Sequence, residues 1–529
     1  MRIAKTILLL PLLLTLSCLA LPAQDAPDST INALIRKHGL EQSRLMETAS
    51  WLTDVYGPRL TGSLLLDQAT AWTLETLKAW GLEQVHTEPW GPFGRGWELQ
   101  HFEMHVTEPS YFPVLAWPKA WSPSTNGSVS GEVVYLDASS EEDLEKYKGR
   151  LKGKFVLLDT LRATSPWFGG TASRLDAGEL LDLANAAMPG QGGGRRNTNF
   201  RGRSNPFFRQ LTDFLYAEQP LALIDRGFKG DQGTVFVQGA RAKNGSAYAD
   251  TAVVLPQVTL SVEQYNRIFR ILQKGIPVRI SMELKAEFSN TGGMEHNIIA
   301  EIPGTDLKDQ VVLFGGHFDS WQAGTGATDN AAGSAVMMEA ARILLETIKE
   351  SGVRPRRTLR LALWTGEEQG LLGSAGYVKE HFAEMKDRRV QALKPEQGKV
   401  SAYYNLDNGT GKIRGIYLQG NDQAGPVFRP WLDAFKDLGA TTISLSNTGG
   451  TDHQSFDRAG IPGFQFIQDP IDYDTRTHHS NMDVYDQLIA DDLKQAATII
   501  ASFIWHTAQR DALLPRKPVV VGDGTAGGK

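Results

Sequence analysis

The sequence predicts an α/β fold with a mixed, largely parallel central sheet flanked by helices and with a β-rich domain inserted into it. From about residue 295 onward, strand-like apolar runs alternate with helical segments, a pattern typical of such sheets. Between about 120 and 260 the pattern changes to short β-rich runs, several of them bounded by glycine. Residues 29–82 carry apolar side chains at helical spacing, so we expect helices before the first strands.

The alternation after residue 295 predicts a definite order of elements. Strands are predicted at NIIAEIPG, DQVVLFGGH, RTLRLALWTG, KVSAYYNLD and GIPGFQFIQ. Helices are predicted at NAAGSAVMMEAARILLETIKESG, around SAGYVKEHFAEMK, at AGPVFRPWLDAFKDLG and at DVYDQLIADDLKQAATIIASFIWHTAQR. The end of the chain shows apolar residues at neither strand nor helix spacing, so we expect residues 511–529 to form a flexible tail.

The section from about 120 to 260 is expected to form the inserted domain. Its predicted strands lie in VSGEVVYLDA, LKGKFVLLDT, VFVQG and TAVVLPQVTL. Among them, PGQGGGRRNTNFRGRSNP is rich in Gly, Arg and Asn and predicts an exposed, flexible loop. Its arginines fit two interpretations, contact with an acidic substrate or simple exposure to water.

The first residues have the pattern of a secretion signal. Arg2 and Lys5 precede the apolar run ILLLPLLLTLSCLAL, and PAQ offers a cleavage point after Ala23. The run is shorter than the roughly 20 residues that span a bilayer, so we predict a cleaved signal peptide at 1–23 and a secreted or periplasmic protein. A lipoprotein anchor at Cys18 is an alternative that Thr15, three positions earlier, disfavours.

Composition narrows the classes of partner and ligand. The 529 residues are enough for two or three domains, with 41% hydrophobic and 22% charged residues. A net charge of −6 gives no indication of nucleic-acid binding, and no second segment is apolar enough to span a membrane. The only cysteine lies within the predicted signal peptide. A metal in the mature chain would therefore be held by His, Asp and Glu.

Polar side chains follow four predicted strands, at the point where each strand ends. His317 follows VVLFGG, Glu367 and Glu368 follow LRLALWTG, and Asp407 follows SAYYNL. A loop after GFQFIQ leads to His478 and His479, and Asp329 opens a helix. Because ligands bind at the carboxyl ends of strands in open α/β sheets, four such ends in succession indicate a site.

These residue types suit a pair of zinc ions. Zn²⁺ accepts imidazole nitrogen and carboxylate oxygen, and two ions about 3.5–4 Å apart can share a carboxylate and a water or hydroxide. A further carboxylate can then serve as a proton shuttle. Asp319, two residues after His317, can accept the imidazole N–H and fix the tautomer. The alternative is that the groups merely mark the ends of buried strands.

Taken together, the motifs resemble those of the co-catalytic di-zinc peptidases. These motifs are H-x-D with T-D-N-A-A-G twelve residues after the His, G-E-E-x-G-L-L-G-S, N-L-D and H-S-x-x-D. That family includes bacterial leucyl aminopeptidase, glutamate carboxypeptidase and carboxypeptidase Q. The resemblance covers about residues 295–508. The section from 120 to 260 resembles a protease-associated domain, with LKGKFVLLD as its best match.

The resemblance implies a role for each motif residue. Glu367 would be the general base, and Asp319 would orient His317. His479 is preferred over His478 because it stands four residues before Asp483, as in the family motif. The implied ligands of two Zn²⁺ are His317 and Asp407 for one ion, Glu368 and His479 for the other, and Asp329 as the bridge.

The resemblance also implies domain bounds and an activity. Residues 24–119 and 261–510 would form the peptidase domain around the inserted section. We expect a secreted zinc exopeptidase that hydrolyses terminal bonds of peptides or dipeptides through a metal-bridged hydroxide. Attack from the amino or the carboxyl end stays open, as does formation of a homodimer. Arg476 and Tyr473 are candidate contacts for a carboxylate, and Asp452 and His453 are candidates either for a supporting role or for contact with the substrate. A glutaminyl cyclase-like acyltransferase and a non-catalytic binding protein are the alternatives.

Overall fold

Two eight-stranded sheets organise the protein in the computed structural model, which describes residues 25–189, 206–289 and 293–522. The predicted signal peptide at 1–23, including Cys18, lies outside the described residues. So does most of the Gly- and Arg-rich stretch PGQGGGRRNTNFRGRSNP. Among the described residues, no helix combines the length and apolarity needed to cross a membrane.

The regular elements of the described chain are numbered in chain order. The strands are β1 (Glu83–Pro92), β2 (Glu98–Glu108), β3 (Phe112–Pro113), β4 (Ala116–Pro118), β5 (Val129–Tyr135), β6 (Phe155–Leu157), β7 (Ala222–Asp225), β8 (Gln257–Leu260), β9 (Arg279–Glu287), β10 (Met294–Ile302), β11 (Leu307–His317), β12 (Arg357–Trp364), β13 (Ala383–Lys386), β14 (Arg389–Leu393), β15 (Val400–Asn405), β16 (Ile413–Tyr417), β17 (Thr442–Ser444) and β18 (Gly463–Gln468). The helices are α1 (Ser29–Arg36), α2 (Leu45–Ser50), α3 (Leu64–Trp80), α4 (Glu141–Glu145), α5 (Ala177–Ala184), α6 (Pro206–Glu218), α7 (Val262–Leu272), α8 (Ala332–Ser351), α9 (Leu372–His381), α10 (Gly425–Asp433), α11 (His453–Arg458) and α12 (Ala490–Gln509).

The central sheet has the strand order β1-β10-β12-β11-β15-β18-β16-β17. Its middle strands β12, β11, β15 and β18 run parallel, and β16 is parallel to β17. The pairs β1–β10, β10–β12 and β16–β18 are antiparallel. The predicted mixed, largely parallel sheet is therefore confirmed. Because four neighbouring strands are parallel, their carboxyl ends meet at one edge.

Helices α8 and α12 cover one face of the central sheet, with the N-terminal helices α1 and α2 packed on them. Met337, Ile343, Ile500 and Phe503 are fully buried in this core. Burying an aliphatic or aromatic side chain of this size contributes about 1.5–3 kcal/mol to folding. The predicted helical region 29–82 is thus part of the layer that covers the sheet.

The second sheet has the order β3-β2-β9-β5-β6-β7-β8-β4. It reaches from Glu98 to Glu287, beyond the predicted limits of 120 and 260. The extension arises because β2 pairs antiparallel with β9, whose residues are distant in sequence. Helices α4 to α7 belong to the same stretch, so its composition is mixed rather than purely β-rich. We call residues 98–287 the second-sheet unit.

Three predicted elements differ from the observed ones in their bounds or their pairing. Helix α9 stops at His381, and the segment FAEMK that follows it forms part of a hairpin with β14. Helix α12 begins at Ala490, after a short turn in VYDQ, and not at Asp483. The segment VFVQG is in neither sheet, and its backbone pairs instead with the loop around Ser480.

The described part of the C-terminal tail is anchored to the central-sheet domain, which differs from the predicted flexible segment. Leu514 is 2% exposed, and Lys517 forms an ion pair with Asp457 at 2.7 Å. The guanidinium of Arg516 donates to the carbonyl oxygens of Gln397 and Val400. Residues 511–522 have no helix or strand, which explains why periodicity does not detect their contacts.

Candidate active site

The parallel strands bring the predicted site residues to one edge of the central sheet. His317 is the last residue of β11, and Asp407 follows the adjacent strand β15. Glu367 and Glu368 lie in the turn after β12. The remaining residues come from the segment just before α8, where the backbone of Asp329 is not helical, and from the loop after β18, which carries His478 and His479.

Three buried side chains converge on one side of the site. The Nε2 atom of His317 lies 3.1 Å from Oδ1 of Asp329 and 3.3 Å from Oδ1 of Asp407. The three side chains are only 1–8% exposed. Their ligand atoms lie within 4.8 Å of one another, close enough for a single cation to contact all three.

The second oxygen of Asp329 faces another group of side chains. Nε2 of His479 lies 3.1 Å from Oδ2 of Asp329 and 2.9 Å from Oε2 of Glu368. Nε2 of His478 lies 3.7 Å from the same Asp329 oxygen, and its ring is 3.7 Å from that of His479. Asp329 therefore presents one carboxylate oxygen to each group, which is the arrangement of a shared ligand.

Asp319 supports the site differently from the prediction. Nδ1 of His317 lies 3.0 Å from the backbone carbonyl oxygen of Asp319 and 3.6 Å from its carboxylate. The carboxylate instead accepts hydrogen bonds from the backbone N–H groups of Glu367 and Glu368 and from the hydroxyl of Thr61. Strand β11 ends at His317, so the chain turns before Asp319 and brings its backbone carbonyl closer to the imidazole than its carboxylate. The carboxylate instead holds the turn that contains Glu367 and Glu368.

Two buried charged residues hold the loop that carries Asp329. Asp483 accepts hydrogen bonds from the backbone and hydroxyl of Thr328 and from the backbone N–H of Asp329. Arg59 donates to four backbone carbonyl oxygens, those of Leu52, Phe318, Thr325 and Gly326. Burial lowers the pKa of Arg59 to about 10, although Asp483 opposes this shift. No sequence motif pointed to Arg59, because its partners are backbone atoms of distant residues.

The site concentrates carboxyl groups in a buried setting. Burial raises the pKa of Glu367 well above its usual range, and burial together with Asp329 raises that of Glu368 to about 8. Burial alone would lower the pKa of His479, but Glu368 and Asp329 outweigh it and raise the value to about 10. Burial and the neighbouring His479 lower the pKa of His478 to about 4. Crowding of carboxyl groups away from water thus makes their ionised forms costly, and a divalent cation would stabilise those forms.

The side chains present fit zinc. Imidazole nitrogens and carboxylate oxygens are its preferred donors in a site without thiolates. Oε1 of Glu368 is buried and has no hydrogen-bond donor among the described residues, and the partner of Oδ2 of Asp329 is the imidazole of His479. Because an unpartnered buried carboxylate oxygen is costly, a cation at that Glu368 oxygen would relieve an otherwise unfavourable arrangement.

A cavity of about 320 Å³ opens onto the site. Glu367, Glu368, Asp329, Asp407, His478 and His479 line it from the side of the sheet edge. Tyr473 also lines it, whereas Arg476 does not. Arg388, at the turn between β13 and β14, is the only lysine or arginine among the described lining residues. Sequence reasoning missed Arg388, because a hairpin turn gives no signal of what it folds against.

Asp452 and His453 lie behind the site. Both are buried, and neither carboxylate oxygen of Asp452 has a hydrogen-bond partner among the described residues. Burial raises the pKa of Asp452 to about 7, and its charge in turn contributes to the raised pKa of Glu367. His453 contacts the carbonyl oxygen of Thr448 at 3.1 Å. Neither residue lines the cavity, so their predicted role stays a supporting one.

A third group of ligand-type side chains lies elsewhere, on the surface of the second-sheet unit. His101, Glu103 and Glu283 converge there, and all are exposed or partly exposed. Glu283 already pairs with the ammonium group of Lys285 at 2.8 Å. Since that carboxylate is neutralised within the protein, this group does not require a metal.

Known proteins resemble the chain over almost its whole length. Residues 297–504 match the model of Peptidase family M28. Carboxypeptidase Q from Mus musculus is 27% identical over 497 residues, which is 93% of this chain and 91% of that protein. Carboxypeptidase Q from Homo sapiens is 26% identical over 500 residues, with 93% and 90% covered.

Solved structures lead to the same family. A peptidase M28 precursor from Shewanella amazonensis SB2B superposes with a TM-score of 0.65 at 25% identity, covering 92% of this chain and 98% of that one. A zinc aminopeptidase from Bacillus subtilis has a TM-score of 0.52 at 20% identity, covering 87% and 93%, and shows the shared fold. With a site of this composition at the sheet edge, the chain resembles peptidase family M28 over residues 297–504 and is a metallo-exopeptidase.

Proposed function

We propose that the protein is a secreted, two-zinc carboxypeptidase that hydrolyses short peptides, dipeptides among them. The observation that carries this proposal is Asp329, whose two oxygens face His317 and Asp407 on one side and His479 and Glu368 on the other. One carboxylate between two sets of donors supports two ions rather than one.

The predicted ligands are assigned accordingly. His317 and Asp407 would hold one zinc, Glu368 and His479 the second, and Asp329 both. When bound, zinc acts as a Lewis acid for the scissile carbonyl and lowers the pKa of water. His478 stands near enough to Asp329 to be a further donor, and its lowered pKa keeps it neutral for that role.

Glu367 is proposed as the general base. Its carboxyl group lines the cavity but, unlike Glu368, forms no ion pair with His479. Asp319 holds the backbone N–H of Glu367, which fixes the direction of the side chain. Burial raises its pKa, so the group can accept a proton from the attacking water and later return it to the leaving amine.

The cationic residue that lines the cavity supports a direction of attack. Arg388 is exposed, and it offers the guanidinium group that a substrate's terminal carboxylate needs. The curated relatives that span this chain are named carboxypeptidase Q, which supports the same direction. The second candidate is an aminopeptidase, because the lining carboxylates Glu367 and Asp407 could equally bind a terminal amine.

Secretion and domain assignment are part of the proposal. The pattern of residues 1–23 supports export, and the second-sheet unit is proposed to be a protease-associated-like domain within a peptidase domain. Its observed limits, Glu98 to Glu287, replace the narrower range suggested by sequence. Formation of a homodimer stays a separate hypothesis.

A panel of dipeptides tests the proposal. The purified enzyme is incubated with one dipeptide in free, N-acetylated and C-amidated forms, and its zinc content is measured alongside. We expect amidation to abolish hydrolysis, acetylation to be tolerated, and about two zinc ions per chain. Loss of activity on acetylation alone would establish an aminopeptidase instead. Cyclisation of N-terminal glutamine peptides by a one-zinc protein would establish the glutaminyl cyclase alternative.

A further inference from the structure

The loop that carries His478 and His479 is clamped by the second-sheet unit at both of its ends. At one end, Ser173 pairs with Ile471, and Arg174 bridges Asp469 and Asp492 at 2.8 and 2.6 Å. Asp469 is fully buried whereas the side chain of Arg174 is 43% exposed, so the bridge ties the second-sheet unit to the central domain from its surface. The central sheet supplies no strand to this loop, and its course depends on contacts with the other domain.

At the other end, the segment VFVQG, which belongs to neither sheet, forms a short antiparallel ladder with the loop that carries His478 and His479. The N–H of Val237 donates to the carbonyl oxygen of His479 at 3.0 Å, and the N–H of Asn481 donates to Val235 at 3.1 Å. The side-chain amide of Asn481 adds two hydrogen bonds, to Val235 and Gly233. Val235 and Val237 are 1% and 3% exposed, so the ladder is packed as firmly as a strand in a sheet.

This ladder holds His479 in an unfavourable backbone conformation. The φ angle of His479 is +61°, in the left-handed region that costs a non-glycine residue about 1–2 kcal/mol. The conformation turns Nε2 toward Asp329 and Glu368, and it leaves Nδ1 facing the second-sheet unit. There Nδ1 lies 3.0 Å from the side-chain amide nitrogen of Gln238. Trp321, packed edge-on against Trp121, closes another side of the ring.

We infer that Gln238, and through it the second-sheet unit, is a positioning residue for His479; the inference rests on the proposed zinc site. A histidine that binds a metal through Nε2 carries its remaining proton on Nδ1 and requires an acceptor there. A rotation of the Gln238 amide by 180° places Oε1 where the nitrogen now lies. The side chain can therefore donate to an unprotonated Nδ1 or accept from a protonated one. The backbone carbonyl of Gln238 is itself held by Ala120 and Gln322.

The test compares four variants for zinc binding, with activity as a secondary measurement. Gln238→Ala removes the acceptor, Gln238→Glu supplies a stronger one, and Gln238→Asp brings the same charge on a side chain too short to reach. Gln210→Ala is the matched control, since Gln210 is an exposed glutamine of the same unit with one surface hydrogen bond, to Glu141. Zinc affinity is measured by chelator competition, and the His479 tautomer by ¹⁵N shifts after histidine-selective labelling.

We expect Gln238→Ala to lower the affinity for one of the two zinc ions about tenfold. This is the lower end of the range for partners of metal-binding histidines, because Gln238 is exposed and water partly replaces its side chain. The ¹⁵N signals of His479 should broaden between tautomers. Gln238→Glu should restore the affinity, whereas Gln238→Asp should not. The inference is overturned if Gln238→Ala keeps its affinity and its tautomer, or if Asp restores them as well as Glu.

Failure of the proposed function gives a different result. If the wild-type enzyme binds fewer than two zinc ions, or hydrolyses peptides equally well after zinc removal, the proposed function is wrong and the inference falls with it. If the wild-type enzyme binds two zinc ions and needs them, but Gln238→Ala matches the Gln210→Ala control, only the positioning role is wrong.

Discussion

The strand-borne half of the site, His317 and Asp407, and its loop-borne half, His478 and His479, are held in place by different parts of the molecule. The first pair follows adjacent parallel strands, and its side chains are 1% and 8% exposed. The second pair lies in a loop, is 32% and 18% exposed, and depends on the second-sheet unit. The sheet edge thus places the first pair, whereas the second pair relies on contacts with a separate domain.

Asp329 joins the two halves, and its replacement should have the largest effect. We expect Asp329→Asn to remove measurable hydrolysis and to lower zinc content below one ion per chain, because an amide offers one neutral oxygen where two charged ones are shared. Zinc analysis after gel filtration checks the result, with the exposed residue Asp182 replaced by Asn as control. Retention of two zinc ions would mean that the halves bind independently.

Glu367 belongs to neither half, so its replacement should separate chemistry from metal binding. We expect Glu367→Gln to lower kcat by about 10²–10⁴-fold while zinc content stays near two, because general-base catalysis contributes an effect of that size. Steady-state kinetics and metal analysis of the same preparation measure both quantities. Full activity in this variant would remove Glu367 from the mechanism, and a parallel loss of zinc would make it a ligand.

Substitution of one histidine from each half should reveal their unequal rigidity. We expect His317→Ala to reduce the zinc content and to lower the melting temperature, because it leaves buried Asp329 and Asp407 facing each other without a counter-charge. His479→Ala should cost one zinc ion but lower the melting temperature less, since the side chain of His479 is 18% exposed and water can take its place, whereas that of His317 is 1% exposed. Equal thermal shifts in the two variants would contradict the distinction.

The smallest effect concerns α12, away from both halves of the site, where His506 is 6% exposed and lies 3.1 Å from Asn32. Burial lowers the pKa of His506 to about 4, so the unfolded chain takes up the proton first as the pH falls. The contribution to stability is complete above about pH 6.5 and declines toward pH 4, by about 2 kcal/mol between pH 7 and 5.

Replacement of His506 by Gln should remove that share of the pH dependence. Urea unfolding at pH 7 and pH 5 gives the change in the free energy of unfolding between the two pH values for the wild type and the variant. Replacement of the exposed residue His86 by Gln is the control. If the change in unfolding free energy between pH 7 and pH 5 is the same in His506→Gln as in the wild type, the imidazole already takes up a proton in the folded state.

Much of the central domain was predictable because strands of a parallel sheet are short, apolar and separated by amphipathic helices. The order of the strands from NIIAEIPG to GIPGFQFIQ and the positions of α8 and α12 agree with the prediction to within a few residues, apart from the late start of α12. The candidate site residues were recognisable for a related reason. Each follows an apolar run, and parallel strands end at a common edge.

The second-sheet unit was predicted less well. Its limits depend on the pairing of β2 with β9, and its helices α6 and α7 lie among runs that read as β-rich. The segment VFVQG has strand-like residues but pairs with the histidine loop. Gln238 and His479 are 241 positions apart, and a contact of that kind leaves no periodic signal. Arg388 lies in a hairpin turn, whose sequence does not indicate what it folds against.

By itself the sequence determined the fold class, the edge of the sheet that carries the chemistry, and the residue types available to a metal. These follow from local patterns, since the period of apolar side chains selects strand or helix and the strand end locates the polar group. The tertiary structure decided which atoms face one another. It placed the carbonyl rather than the carboxylate of Asp319 next to His317, and it set Gln238 against His479. Such distances depend on the packing of whole domains, which no local pattern encodes.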